Sequence, residues 1–195
     1  MRDSASSPRP RHFSTVFLDR DGVINAKMPE GSYVRSPAEL TLLDGAAGAI
    51  ARLNRAGFRV IVASNQRGIA LGLYTAEDVQ AIHSALQDLL ARQDAHVDAF
   101  YFCPHDRGQC NCRKPLPGLF EQAVAEFPQI AAEASAMLGD SLSDVEFARR
   151  LGMAAILIEG GPDRREADAA QAEKLADLRF PSLAAAVEFL VESHA

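Results

Sequence analysis

Long apolar runs, an excess of positive charge and paired cysteines are all missing from this 195-residue chain, and each absence removes a class of protein. No stretch approaches the roughly 18 to 20 apolar residues needed to cross a bilayer. Residues 1–12 are rich in Ser, Pro and Arg without an apolar centre, so they do not read as a secretory leader; a cytoplasmic protein with no membrane partner is expected. The formal net charge is -6 and the pI about 5.4. Nucleic acid is therefore not expected as a partner, because binding it takes a basic face that displaces counterions. The three cysteines, Cys103, Cys110 and Cys112, are odd in number and crowded together, a poor basis for a disulfide framework and a better one for a metal cluster in a reducing compartment.

What is present is ordinary globular material. Hydrophobic residues make up 48% of the chain and charged residues 24%, enough for one sizeable core in one domain. Residues 1–12 are expected to be a disordered tail, its Arg9 and Arg11 solvated, and residues 13–195 the domain itself. Five apolar runs read as buried strands: Ser14 to Leu18, Arg59 to Ala63, Ala99 to Phe102, Ala136 to Leu138 and Ala154 to Ile158. Between them Gly45 to Ala56, Ala76 to Arg92, Gly118 to Phe127 and Asp144 to Leu151 carry apolar residues at helical spacing. Thr75 caps one helix start, and Gly57 and Gly152 close two others. Pro162 to Lys174 is predicted as a solvated helix and Leu183 to Val191 as a last amphipathic one. Strands alternating with helices specify a doubly wound α/β fold, a parallel sheet covered on both faces. Ligands in such sheets bind beyond the carboxyl ends of the strands, so the residues that follow each run are the informative ones.

The first run ends in Asp19-Arg20-Asp21-Gly22. Residues two apart in an extended segment point the same way, so Asp19 and Asp21 can converge on one metal and one phosphate. The second run is followed by Ser64, Asn65 and Arg67, the fourth by Asp140 and Asp144, and Arg113-Lys114-Pro115 adds two cations. Acids for a hard cation and donors for phosphate oxygens meeting at one sheet edge are what phosphoryl transfer requires. Taken singly, Asp21-Gly22 is a turn, Ser64-Asn65 a helix cap and Arg113-Lys114 solvated surface. Their succession at neighbouring strand ends argues for chemistry.

With these motifs in order, the stretch from Phe13 to Ile158 resembles the haloacid dehalogenase-like superfamily of aspartyl-phosphate hydrolases, whose first motif, Asp-x-Asp-Gly, Asp19 to Gly22 match. The resemblance implies that Asp19 is the nucleophile and that Asp21 is the general acid and then the base. It also implies that Ser64 and Lys114 hold the phosphoryl oxygens. Mg²⁺ would be bound by the Asp19 and Asp140 carboxylates and the Asp21 carbonyl. Asp144 has two readings, a metal contact through water or a cap for the following helix.

Cys103, His105, Cys110 and Cys112 supply three thiols and one imidazole, the number a tetrahedral zinc site needs. The one-residue gaps are tighter than in zinc fingers, and an all-thiol loop, a disulfide or His105 as a catalytic base are alternatives. Cys103-Pro-His105 followed by Cys110-Asn-Cys112-Arg-Lys-Pro115 is similar to the zinc loop of one branch of the superfamily. That likeness implies a structural Zn²⁺ that fixes Arg113 and Lys114. His83 and His96 lie outside the cysteine cluster and the strand-end motifs and are expected to be structural or exposed.

The segments between motifs are too short for a cap domain, so the expectation is an open, capless site in a monomer acting on a small phosphorylated metabolite. Tyr33, Asn65, Arg67 and Arg113 are the expected substrate contacts. Within the zinc-loop branch the sequence resembles the heptose bisphosphate phosphatase family, through Phe17 to Asn25, Gly31-Ser-Tyr33, Ser64-Asn-Gln66 and Cys112 to Gly118. The loop between His105 and Cys110 is short, as in histidinol-phosphate phosphatases, which stand as the alternative. A phosphomutase would need a cap to exclude water. A non-catalytic zinc module would need none of Asp19, Asp21, Lys114 and Asp140 together.

Overall fold

The computed structural model describes residues 13–29, 31–159 and 166–193. The predicted tail at residues 1–12 and the start of the predicted helix at Pro162 lie outside the described residues. Six parallel strands form one sheet in the order β3-β2-β1-β4-β5-β6. They are β1 (Thr15–Leu18), β2 (Arg59–Asn65), β3 (Ala99–Cys103), β4 (Ser135–Gly139), β5 (Ala154–Ile158) and β6 (Leu178–Phe180). The helices are α1 (Ala46–Arg55), α2 (Ala76–Ala91), α3 (Gly118–Glu126), α4 (Leu142–Leu151), α5 (Glu166–Leu175) and α6 (Leu183–Glu192).

The strand alternation explains the two-sided burial. Val16 and Leu18, Val60 and Val62, Ala136 and Leu138, and Ile156 and Ile158 face one cluster, shared with α1, α2 and α6. Phe17, Ile61, Ala63, Met137 and Leu157 face the other, shared with α3, α4 and Ala172 of α5. A sheet buried on both faces has no polar side, which is why its strands read as continuous apolar runs. β1 lies at the centre, between β2 and β4. The strand order therefore switches direction beside it, the place where doubly wound sheets bind ligands.

The predicted boundary at Thr75 is the observed one: its hydroxyl accepts from the Asp78 amide at 3.2 Å and its own amide donates to the Asp78 carboxylate at 2.8 Å. Three details differ from the sequence reading. β6 was not expected, since a three-residue, half-buried edge strand has no readable period. α5 is not wholly solvated, because Ala172 is buried in the second cluster. α4 begins at Leu142 rather than Asp144, with Ser141 as its cap. Among the described residues no further domain is inserted between the strands, in keeping with a capless fold.

Candidate active site

Asp19 follows β1 directly, its amide donating to the Leu138 carbonyl of β4 at 2.9 Å, so the loop leaves the sheet already tied to its neighbour. The turn that follows packs against the β4 end so closely that a Cβ on Gly22, whose φ is +93°, would collide with the Asp140 carboxylate. Gly139 plays the same part at the end of β4, where a Cβ would meet the Asp144 side chain. Glycine at both positions is what lets Asp19, Asp140 and Asp144 gather, with carboxylate oxygens of the three all within 4.8 Å of one another.

Lys114 is buried among these acids, its Nζ 3.0 Å from Asp19 Oδ1 and 2.5 Å from Asp144 Oδ1. Its backbone is fixed by Asn65, which accepts from the Lys114 amide at 3.0 Å and donates to its carbonyl at 3.1 Å. Asn65, an expected substrate contact, lines the cleft described below, and its amide also positions Lys114. Asp144 meets one of its two sequence readings. Its Oδ2 accepts from the Ser141 amide at 3.1 Å, as the third residue of a capping box, while Oδ1 faces Lys114.

The two acids of the first motif are in opposite electrostatic states. Burial raises the Asp19 carboxyl to about 7, with Lys114 opposing and the acids at 144, 140 and 21 adding to the rise. Burial also pushes Asp21 upward, but the Arg20 guanidinium and hydrogen bonds from Asn25 and Gln66 outweigh it and hold that carboxyl below its ordinary value. Arg20 Nη2 lies 2.9 Å from Asp21 Oδ2, Asn25 Nδ2 donates to Oδ1 at 2.9 Å, and Gln66 Nε2 donates to Oδ2 at 3.0 Å. Arg20 itself is completely buried.

A cleft of about 670 Å³ opens over this floor. Ser64, Tyr33, Arg113 and Lys27 line it, along with Arg107 from the cysteine loop, Glu146 from α4 and Asp168 from α5. Arg67, an expected substrate contact, is not among the lining residues. It pairs with Asp106 at 2.6 Å and 3.1 Å, tying the end of β2 to the cysteine loop. Lys27 was missed in the sequence, where nothing but its nearness to the first motif marks it. Its ammonium sits 2.7 Å from Asp140 Oδ2, and burial lowers its pKa less than the acids at 140, 19 and 144 raise it. Glu146 and Asp168 were missed because the segments bearing them read as plain helix.

The predicted cysteine cluster assembles. Cys103 Sγ is 3.5 Å from Cys110 Sγ and 3.7 Å from His105 Nδ1, and Cys112 Sγ is 3.4 Å from the same nitrogen. Tetrahedral bonds of about 2.3 Å to sulfur and about 2.1 Å to nitrogen give ligand separations of roughly 3.5 to 3.8 Å, so these four side chains fit a Cys₃His zinc site. The Arg113 amide donates to Cys110 Sγ at 3.4 Å, which couples the cluster to the cationic end of the cleft. His105 is taken up by this cluster and lies away from the acids, against its reading as a catalytic base. His83 stacks on Phe100 at 4.6 Å, buried, and burial drives its pKa down to about 3, in keeping with a structural role.

Residues 111–186 match the family model described as HAD-hydrolase-like. The chain is 40% identical over 176 residues, 90% of each protein, to the D-glycero-alpha-D-manno-heptose-1,7-bisphosphate 7-phosphatase of Mycobacterium tuberculosis. To the D-glycero-beta-D-manno-heptose-1,7-bisphosphate 7-phosphatase of Pseudomonas putida it is 39% identical over 178 residues, 90% of this chain and 98% of the relative. In three dimensions it is similar to the D,D-heptose 1,7-bisphosphate phosphatase of B. bronchiseptica, crystallised with magnesium and phosphate, at a TM-score of 0.79 and 33% identity over 92% of this chain and 99% of that one. An α/β sheet that gathers Asp19, Asp21, Lys114 and Asp140 beneath a cleft, joined to likeness over nearly the whole length, places the chain in the haloacid dehalogenase-like phosphatases, in the family of the heptose-1,7-bisphosphate 7-phosphatases.

Proposed function

We propose that this chain is a magnesium-dependent phosphatase that hydrolyses the 7-phosphate of D-glycero-D-manno-heptose 1,7-bisphosphate by way of phosphorylated Asp19. The observation that carries the reading is the trio of Asp19, Lys114 and Asp140 under an open cleft in a chain about 40% identical to enzymes named for that reaction.

Asp19 Oδ attacks phosphorus in line, and the ester oxygen leaves with a proton from Asp21. Water then gives its proton to Asp21 and attacks the phosphoaspartate, releasing phosphate and restoring the Asp19 carboxylate. Lys114 and the Ser64 hydroxyl hold the phosphoryl oxygens, fixed donors where charge develops. The carboxylates of Asp19 and Asp140 and the carbonyl of Asp21 would hold Mg²⁺, which supplies the positive charge that lets an anionic nucleophile approach an anionic ester. Such a charge is needed here, because the half-buried Asp19 carboxyl otherwise titrates near 7. Asp21 is held as a carboxylate in the free enzyme, ready as a base. The incoming phosphate dianion raises its proton affinity, so that it takes up a proton from solvent for the acid step. The proton it later accepts from water returns to solvent or leaves on the product phosphate.

Cys103, His105, Cys110 and Cys112 would hold a structural Zn²⁺; four protein ligands leave no open position for catalysis. Arg113 and Arg107 give the cationic end of the cleft, suited to a second phosphate, and Glu146 and Asp168 give acceptors suited to sugar hydroxyls. The test is phosphate release with and without Mg²⁺ from both anomers of the heptose bisphosphate, histidinol phosphate and common sugar phosphates. Selective turnover of the bisphosphate supports the reading. Preference for histidinol phosphate would overturn the substrate and keep the chemistry, and no release from any ester would overturn both.

A further inference from the structure

Gln66 is 1% exposed, and both ends of its amide bond to other side chains, the nitrogen to two residues that line the cleft. Its Oε1 accepts from the Tyr74 hydroxyl at 2.8 Å and from Arg20 Nη2 at 3.4 Å. Its Nε2 donates to Asp21 Oδ2 at 3.0 Å and to Ser64 Oγ at 2.8 Å. An amide nitrogen has two protons, and here each has a distinct acceptor. The orientation is over-determined: turning the amide over would set an oxygen against the Asp21 carboxylate and a nitrogen against the Tyr74 hydroxyl and the Arg20 guanidinium.

The consequence falls on Ser64. A hydroxyl has a single proton, and which way it points is ordinarily free. With its oxygen accepting from Gln66 on the buried side, Ser64 keeps its proton for the cleft that it lines. We propose that Gln66, braced by Tyr74, is a positioning residue that makes Ser64 a fixed hydrogen-bond donor to the phosphoryl group. Tyr74 is itself packed in place. It is 6% exposed, a Cβ on Gly68 would run into its ring, and the ring of Tyr33 from the cleft rests on it at 5.8 Å. The loop that reaches the substrate and the residue that aims the phosphate donor thus share one support.

The inference rests on the phosphatase reading but not on the identity of the sugar, so the assay uses p-nitrophenyl phosphate with saturating Mg²⁺. Removing one preorganised donor from a developing oxyanion costs about 100- to 1000-fold in kcat, and misdirecting it costs less. Gln66→Met is expected to lower kcat roughly 10- to 100-fold with a smaller change in KM, and Gln66→Glu, which replaces the donor by an acceptor that captures the Ser64 proton, to lower it further. The decisive readout is a double-mutant cycle with Ser64→Ala. If Gln66 acts through Ser64, Gln66→Met costs no more than about 5-fold in the Ser64→Ala background. An equal fold-loss in both backgrounds would overturn the proposal and leave Gln66 a structural residue. Tyr74→Phe, which removes one oxygen atom, guards against failure to fold. It is expected to lower kcat about 3- to 10-fold, again without further loss in Ser64→Ala, and wild-type kcat in Tyr74→Phe would refute the bracing role. Absence of wild-type activity on p-nitrophenyl phosphate and on every ester of the panel above would count against the phosphatase reading itself and is thereby told apart from either result.

Discussion

Replacing Asp19 by asparagine removes a charge from a site that stores repulsion, and the size of the effect follows from the environment. In the metal-free protein burial lifts this carboxyl from 3.8 to about 7, against the pull of Lys114. At about 1.4 kcal/mol per pH unit, that rise corresponds to a ceiling of about 4 kcal/mol. The sign is fixed by linkage. Between the two values the folded chain holds a proton that the unfolded chain has lost, so stability falls as pH rises through this window and is lowest above it. Asp19→Asn cannot lose that proton. In Mg²⁺-free buffer the variant and the wild type should therefore unfold at similar temperatures near pH 4 and diverge as pH approaches 8, with the variant the more stable. For a domain of this size about 2 to 4 °C accompanies each kcal/mol, so a gap of roughly 5 to 15 °C is expected at pH 8. Saturating Mg²⁺ should narrow it, because the cation stabilises the wild-type site by binding the folded state alone. Thermal unfolding from pH 4 to pH 8 measures this, and parallel curves for the two proteins would refute the reasoning.

Lys27→Ala removes the ammonium that sits on Asp140 Oδ2 at 2.7 Å. Because the cation and Lys27 compete for that carboxylate, Mg²⁺ titrated calorimetrically into the substrate-free variant should bind several-fold more tightly; weaker binding would contradict the competition. Cys112→Ser should lower the zinc content of the purified protein and reduce kcat about 10- to 100-fold although every acid of the site is intact, as loss of a supporting shell commonly does. Full activity with no zinc would show that the cluster does not position Arg113 and Lys114. Arg67→Ala breaks a half-exposed ion pair with Asp106, so unfolding should shift by no more than about 1 kcal/mol, and the heptose bisphosphate should be bound with a KM changed by less than about 3-fold. A tenfold or larger increase in that constant would restore Arg67 as a substrate contact.

Much of the fold was legible because a sheet buried on both faces leaves apolar runs such as Val60 to Ala63 and Ala154 to Ile158 that no exposed strand could tolerate. The acids were legible for a related reason: each followed a run, and strand ends are where such a sheet places its ligands. The cysteine cluster could be read from residue types alone, since three thiols and an imidazole so close in sequence are forced together. What sequence could not supply was direction. Asn65 and Arg67 stand beside Ser64 in the chain, but one turns to the Lys114 backbone and the other to Asp106. Lys27 lies far from Asp140 in sequence and meets it through the turn around Gly22. The roles of Gln66 and Tyr74 reside in hydrogen-bond polarity, which no residue pattern encodes. β6 and the cleft wall from α5 went unread because short or Ala-rich segments carry little periodicity, and packing rather than propensity decides where they settle.

Passage of the phosphoryl group through Asp19 is the step on which the proposed mechanism turns. A rapid-quench experiment with phosphoryl-labelled substrate and Mg²⁺, stopped in acid within the first turnover and followed by peptide mapping, tests it directly. The account predicts label on the peptide that contains Asp19, discharged by hydroxylamine as an acyl phosphate, and none in Asp19→Asn, which should also be inactive. Sustained phosphate release by Asp19→Asn, or label on any other residue, would contradict it.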